Sequence, residues 1–107
     1  MDNVRVCTVA QEGDDVILRL EVSELYIEMR EAFSEQIRRA VNMGTGSITF
    51  DLYELKRIYS IFLGLILDGV WTAKRLNRNV KIVLNPDMYK HFNDLGIQNA
   101  AELVRQE

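Results

Sequence analysis

Apolar and polar residues alternate at two places near the start of the chain, first at Val4, Val6 and Thr8 and then at Val16, Leu18 and Leu20. Between them lies Glu12-Gly13-Asp14-Asp15, whose composition favours a turn, so the pattern predicts a β-hairpin. From Ile27 to Met43 the period lengthens. Met29, Ala32, Phe33, Ile37, Ala40 and Val41 fall on one helical stripe, Glu28, Glu31, Glu35, Arg38 and Arg39 lie elsewhere around it, and Gly44 stops the helix.

Ile48, Phe50 and Leu52 alternate again and give a third strand, and Ser60 to Arg75 reads as a second helix. The run Val80-Lys81-Ile82-Val83-Leu84 is short, β-branched and almost wholly apolar, which predicts a central strand covered on both faces. Asn85-Pro86-Asp87 is a helix start: Asn85 can cap free N–H groups and Pro86 suits the first helical position. Gly96 ends that helix. In the remaining Ile97 to Glu107, residues Ala101 to Val104 fit either an edge strand or a terminal helical turn. The predicted fold class is α/β, a mixed four- to five-stranded sheet with an N-terminal hairpin, parallel crossovers and three helices. A length of 107 residues suits one domain over 1–107.

Charge narrows the choice of partners. Thirteen basic residues are scattered among 16 acidic ones, for a net charge of -3, so no basic stripe suited to a nucleic-acid backbone is visible. The longest apolar run, Ile61 to Leu67, is broken at Gly64 and falls far short of the roughly 20 residues that span a bilayer. Met1-Asp2-Asn3-Val4-Arg5 has neither the basic start nor the apolar stretch of a secretory signal, so a cytoplasmic location is the default expectation. Cys7, the single cysteine, sits among alternating apolar residues and reads as a small core side chain.

Little in the sequence points to catalysis. His91 is the only histidine and has no cysteine or second histidine at ligand spacing, so neither a metal nor a cofactor is expected. Gly44-Thr45-Gly46-Ser47 runs from helix to strand, opposite to a phosphate-cradling loop, and reads as a helix stop and turn. Glu21, Glu24, Glu28 and Glu31 suit a solvated helix start, the last two near the positive end of the helix dipole, and form no acid-base pair.

The second helix carries the candidate site. At about 100° per residue, Phe62, Leu63, Ile66, Val70 and Ala73 share the face expected to pack on the sheet. Ile61, Leu65, Asp68 and Thr72 share the opposite one. Two large apolar side chains, Ile61 and Leu65, therefore point away from the predicted core at one helix end, with Lys56 and Arg57 available as a polar rim and Tyr59 as an aromatic extension. Cover by the C-terminal tail or the preceding loop is the alternative. Trp71 lies near the boundary of the two faces and is expected to close the edge of the core. Met29, Met43 and Met88 are expected to fill gaps.

The stretch from Phe50 to Leu67 resembles the central part of STAS domains, the family of bacterial anti-sigma factor antagonists, where a strand ending in Asp-Leu leads through a loop to Asp-Ser-Ser-Gly-Leu-Gly and a helix. Val83-Leu84-Asn85-Pro86 and Phe92-Asn93-Asp94-Leu95-Gly96-Ile97 look like the family's last strand, its proline-started helix and its exit. Ser23-Glu24-Leu25-Tyr26 is similar to the family's Gly-Glu-Leu-Asp, without its glycine and aspartate. Along the ungapped match Tyr59 replaces the aspartate, Ser60 matches the first serine, Ile61 replaces the second serine and Phe62 replaces the glycine. In the antagonists that second serine is the one a partner kinase phosphorylates.

The resemblance thus implies a STAS-like, non-enzymatic protein-binding module, and with the helix pattern it gives an expected partner surface of Lys56, Arg57, Tyr59, Ser60, Ile61, Phe62 and Leu65 at the start of the second helix, which binds without phospho-switching because Ile61 has no hydroxyl. The implied partner is an anti-sigma kinase-like or other regulatory protein. Ser60 is a candidate phosphorylation site, and the bland reading of the same residue is an N-cap for the helix. Alternatives are a STAS-like subunit of a larger complex, such as a bacterial lipid-transport ABC system, a homodimer built on the apolar helix end, or a small-ligand sensor.

Overall fold

In the computed structural model, which describes residues 5–107, five strands and three helices alternate. Strands β1 (Cys7–Glu12) and β2 (Asp15–Leu20) form the expected hairpin, with Gly13 at φ 63° in its turn. Then follow α1 (Arg30–Val41), β3 (Ile48–Asp51), α2 (Ser60–Arg75), β4 (Val80–Leu84), α3 (Pro86–Asp94) and β5 (Glu102–Arg105). Strand order in the sheet is the order in the chain. Only β1 is antiparallel to its neighbour; β2 to β5 are all parallel. Three crossovers that step the same way with the same hand leave all three helices on one face.

Burial follows that rule. Val16, Leu18 and Leu20 of β2, Ile48 and Phe50 of β3, and Val80, Ile82 and Leu84 of β4 are buried beneath the helices, where they meet Phe33, Ile37, Phe62, Ile66, Val70, Met88 and Phe92. Their alternate neighbours look outward. Arg19 and Lys81 are exposed, Ile17, Thr49, Asp51 and Val83 are half-buried, and Arg19 Nε donates to Asp51 Oδ2 at 3.1 Å across the β2–β3 pair. The expectation that β4 is covered on both faces is therefore corrected. It is interior, between β3 and β5, but its β-branched run reflects strand propensity rather than two-sided burial.

Other expectations resolve in detail. The 60–75 helix matches α2, while the first helical stripe begins with a 3-10 turn, Ile27–Met29, before α1, and Ala32 is exposed. In β1 the inward residues are Cys7 and Val9, opposite Leu20 and Leu18, so Thr8 looks outward, against the alternation expected from Val6 and Thr8; Val4 lies outside the described residues. The tail forms both a 3-10 turn, Ile97–Asn99, and the edge strand β5. Trp71 does not close the core: it is 49% exposed, with Lys74 Nζ 5.1 Å from its ring centroid, a cation–π contact on the outer surface of α2. Met29 and Met43 are half-buried and Met88 buried, as gap-fillers would be. Among the described residues no helix is long and apolar enough to cross a membrane.

Two polar residues lock the layers together. Arg78, just before β4, is 5% exposed, and among the described residues no carboxylate forms a salt bridge with it. Its Nη1 donates to the carbonyls of Val41 (3.0 Å) and Met43 (2.6 Å) and its Nε to Gly46 (2.7 Å), so one cation caps the carbonyl end of α1 and fixes the turn into β3. Burial draws its pKa below the usual guanidinium value, and Asp15 acts in the opposite direction. That turn also nests on the hairpin. Thr45 and Gly46 donate backbone N–H groups to Asp14 O at 3.1 and 2.6 Å, and Ser47 N–H to Asp15 Oδ1 at 2.8 Å. A Cβ at position 46 would overlap the Asp15 carboxylate, which explains the glycine.

Asn85 is the second lock, and it behaves as the sequence predicts at α3. Its Oδ1 accepts from Met88 N at 2.9 Å, with Pro86 at the first helical position and Gly96 left-handed at φ 80° beyond the helix. Its Nδ2 also donates to the carbonyls of Tyr53 (2.9 Å) and Leu55 (2.6 Å), in the loop after β3.

Replacing Arg78 with Met keeps the aliphatic stem and leaves three carbonyls without their donor. Urea unfolding should show a loss of about 2–4 kcal/mol, with Lys recovering less than half because an ammonium cannot match the planar fork. Cys7 is buried, and desolvation, aided by Glu21, raises its pKa to about 11. Against the free thiol, that lowers the thiolate fraction at pH 8 by about 100-fold, so a thiol reagent should label native protein at least that much more slowly than unfolded protein.

Candidate partner-binding surface

At the carboxyl ends of β2 and β3 the chain leaves the sheet in two loops that run side by side. Leu25 and Leu55, both fully buried, root them in the core. Lys56 N–H donates to Ser23 O at 2.8 Å, and Glu24 and Arg57 form a parallel β-bridge. Asn85 holds the second loop from the other side. The start of α2 and the 3-10 turn before α1 are thereby brought next to each other.

Between them lies a hollow of about 380 Å³ lined by Tyr26, Ile27, Glu28, Tyr59, Ile61 and Phe62. Tyr26 (49%), Ile27 (61%), Tyr59 (46%) and Ile61 (42%) are four of the large apolar side chains most exposed on the molecule. Their clustering at one end makes an apolar patch rather than scattered surface residues. Arg57 flanks the tyrosines; the Tyr59 hydroxyl first and Glu24 second hold its guanidinium pKa above the usual value. Glu28 borders the hollow from the α1 side.

The seven residues expected at the surface do not all share it. Arg57, Tyr59 and Ile61 meet at the patch. Lys56 is exposed but lines a neighbouring hollow with Tyr53, Glu54, Asn85, Pro86 and Asp87. Phe62 is 1% exposed and packs edge-on against Phe33, ring centroids 6.2 Å apart, so it lines the hollow from the core side. Leu65 is half-buried because α1 covers it, neither the tail nor the loop; with Asp68 and Thr72 it lines a groove of about 320 Å³ against Ser34, Ile37, Arg38, Val41 and Asn42.

Ser60 is exposed, but it is the first residue of α2 and not its N-cap. Tyr59 takes that position with extended backbone (φ -94°, ψ 153°) and no side-chain capping bond. The N-cap expectation for Ser60 is therefore overturned: the loop holds Tyr59, one residue earlier, in the non-helical conformation a cap requires.

Sequence reasoning missed Tyr26 and Ile27. A signal for Ile27 was present, since at helical spacing it stands in line with Glu31, Ser34 and Arg38, the polar side of α1, and not with Phe33 and Ile37. Nothing in the sequence places Tyr26 beside Tyr59, because that proximity depends on the pairing of two loops. His91 is exposed on α3, and among the described residues no group of three or more His, Cys, Asp or Glu is placed to hold a metal ion.

No family model matches the chain, and no curated protein does. A solved structure does. The 1.59 Å crystal structure of a candidate anti-sigma factor antagonist from Thermotoga maritima superposes with a TM-score of 0.76, covering 94% of this chain and 86% of that one at 18% sequence identity. A likeness at that identity is one of fold: the mixed five-stranded sheet, N-terminal hairpin and three helices described above form the STAS-like α/β fold that the Thermotoga protein shares.

Proposed function

We propose that this chain is a non-enzymatic, protein-binding regulatory module, acting as one domain over 1–107 in the bacterial cytoplasm, and that it binds its partner through the patch at the start of α2. The single observation that carries the reading is the cluster of Tyr26, Ile27, Tyr59 and Ile61, exposed together where two loops, held by the core and Asn85, enter the 3-10 turn and α2. Aromatic and aliphatic side chains around a hollow, rimmed by Arg57 and Glu28, have the composition of an interface centre. The fold shared with an anti-sigma factor antagonist favours a signalling partner, an anti-sigma kinase-like protein or another regulator.

Binding in this reading is not switched by phosphate. The position matching the family's phospho-acceptor is Ile61, whose side chain has no hydroxyl to modify and contributes apolar contact area instead. Ser60 presents its hydroxyl one residue earlier and serves here as a surface residue.

The test is affinity capture from the native cell extract with wild type and Ile61→Asp in parallel, followed by titration of the protein retained only by wild type. Ile61→Asp should weaken binding at least about 30-fold, with the circular dichroism spectrum and melting temperature preserved because Ile61 is exposed. Ser60→Ala should stay within about twofold. Equal affinity for wild type and Ile61→Asp would reject the surface, and a partner that binds only Ser60-phosphorylated or only unmodified protein would reject a phosphate-independent mode.

A further inference from the structure

The two edges of the sheet are protected unequally. β5 is four residues long, carries Glu102 and Arg105 at its ends, and Arg105 Nε is held by Glu107 Oε2 at 3.0 Å. Short strands and charges of this kind keep an edge from pairing with another chain. β1 is six residues long, Cys7-Thr8-Val9-Ala10-Gln11-Glu12, with no lysine or proline, no charge before its last residue, and an unbroken register against β2 that leaves no bulge. Among the described residues no strand lies beyond it.

The register also says which backbone groups that edge leaves open. Glu21 N–H donates to Val6 O at 2.8 Å, and bonded residues alternate with unbonded ones along an antiparallel pair. Val6, Thr8, Ala10 and Glu12 therefore turn their backbone groups to β2, while the N–H and C=O of Cys7, Val9 and Gln11 point to the open edge. Such a row of alternating donors and acceptors is complementary in charge to itself when a second copy is turned end for end about a two-fold axis perpendicular to the sheet.

We propose that β1 pairs antiparallel with β1 of a second copy of this chain, centred on Val9, so that two five-stranded sheets become one. In that register Val9 faces its own counterpart and Cys7 faces Gln11 of the other copy, which gives every outward N–H of the strand a carbonyl. On the outer face Thr8 stands opposite Ala10, and beyond it Glu12 opposite Val6, so no like charges meet. Val9, half-buried against the margin of the core, gains cover from its counterpart. The pairing closes after two copies, whereas β1 joined to β5 would leave a free edge at each end. It buries few side chains, so it is reversible and concentration-dependent, and it uses none of the patch residues.

Proline is tolerated at an edge position whose N–H faces outward, since no bond within the sheet is lost there. Gln11→Pro removes one outward donor at an exposed residue, and Val9→Pro removes the central one. In sedimentation velocity wild type should shift towards twice the monomer mass with rising concentration, and each proline variant, folded by circular dichroism, should self-associate at least about tenfold more weakly. Oxidative cross-linking reads the register. Thr8→Cys and Ala10→Cys, mixed, set two thiols opposite each other in a non-hydrogen-bonded pair with Cα atoms about 4.5 Å apart, while either variant alone has them roughly 7–8 Å apart on a diagonal. The mixture should cross-link at least about fivefold faster than either alone, and buried Cys7 stays out of the reaction. Wild type that remains monomeric up to about 0.5 mM overturns the inference. So does a dimer that both folded proline variants preserve, or cross-linking with no preference for the mixture. Ile61→Asp should leave self-association unchanged; a dimer that it abolishes and Gln11→Pro spares is built on the patch, which overturns the pairing through β1 and not the partner-surface reading.

Discussion

Each parallel step in this sheet requires the chain to cross over it, and all three steps go the same way, from β2 to β3, β4 and β5. Crossovers of one hand and one direction can deposit helices on one face only. Much else follows from that constraint. Alternate residues of every interior strand enter the core, the others face outward with Arg19, Asp51 and Lys81 among them, and the turns at the carboxyl ends of β2 and β3 emerge at the same end of the molecule, beside the starts of α1 and α2. The patch formed by Tyr26, Ile27, Tyr59 and Ile61 exists because topology, not local sequence, brings those two loops together.

The helical layer needs anchoring as well as packing, since helix ends carry backbone groups that the helix itself cannot satisfy. Arg78 and Asn85 do this at opposite ends of β4. Arg78 gathers three carbonyls around the end of α1, and Asn85 caps α3 while holding two carbonyls of the loop before α2. The five bonds to those carbonyls join segments 30 or more residues apart in the chain. The charge on Arg78 meets the negative end of a helix dipole, with Asp15 acting on it without a salt bridge, which suits a guanidinium because its donors are spread over a rigid plane.

These distinctions account for what could be read from the sequence. Periodicity marks α2 to the residue and the strands β2 and β3 closely, because each has one dry face that imposes a repeat, and the short β-branched run marks the bounds of β4. Asn85-Pro86 was legible because capping is local chemistry. At β4 the same reasoning went astray, since strand propensity and two-sided burial produce the same run of Val, Ile and Leu. Trp71 misled for a similar reason: a large ring suggests burial unless a neighbour such as Lys74 accommodates it on the surface. Arg78 was invisible, because its three acceptors are carbonyls and leave no mark on the sequence. Within the candidate site, Ile61 is legible from helical spacing and Tyr59 as the aromatic residue just before the helix, while Tyr26 is beyond reach without the loop pairing.

The double hold on the loop from Tyr53 to Arg57 bears on the thermodynamics of recognition. A backbone bond to Ser23 on one side and two bonds from the Asn85 side chain on the other fix it in the free protein. Most of the conformational entropy that a flexible recognition loop loses on contact has here already been lost on folding. Association at such a surface is governed by shape fit and the release of water from the tyrosine and isoleucine side chains, so its heat-capacity change reports buried apolar area with little contribution from ordering of the chain.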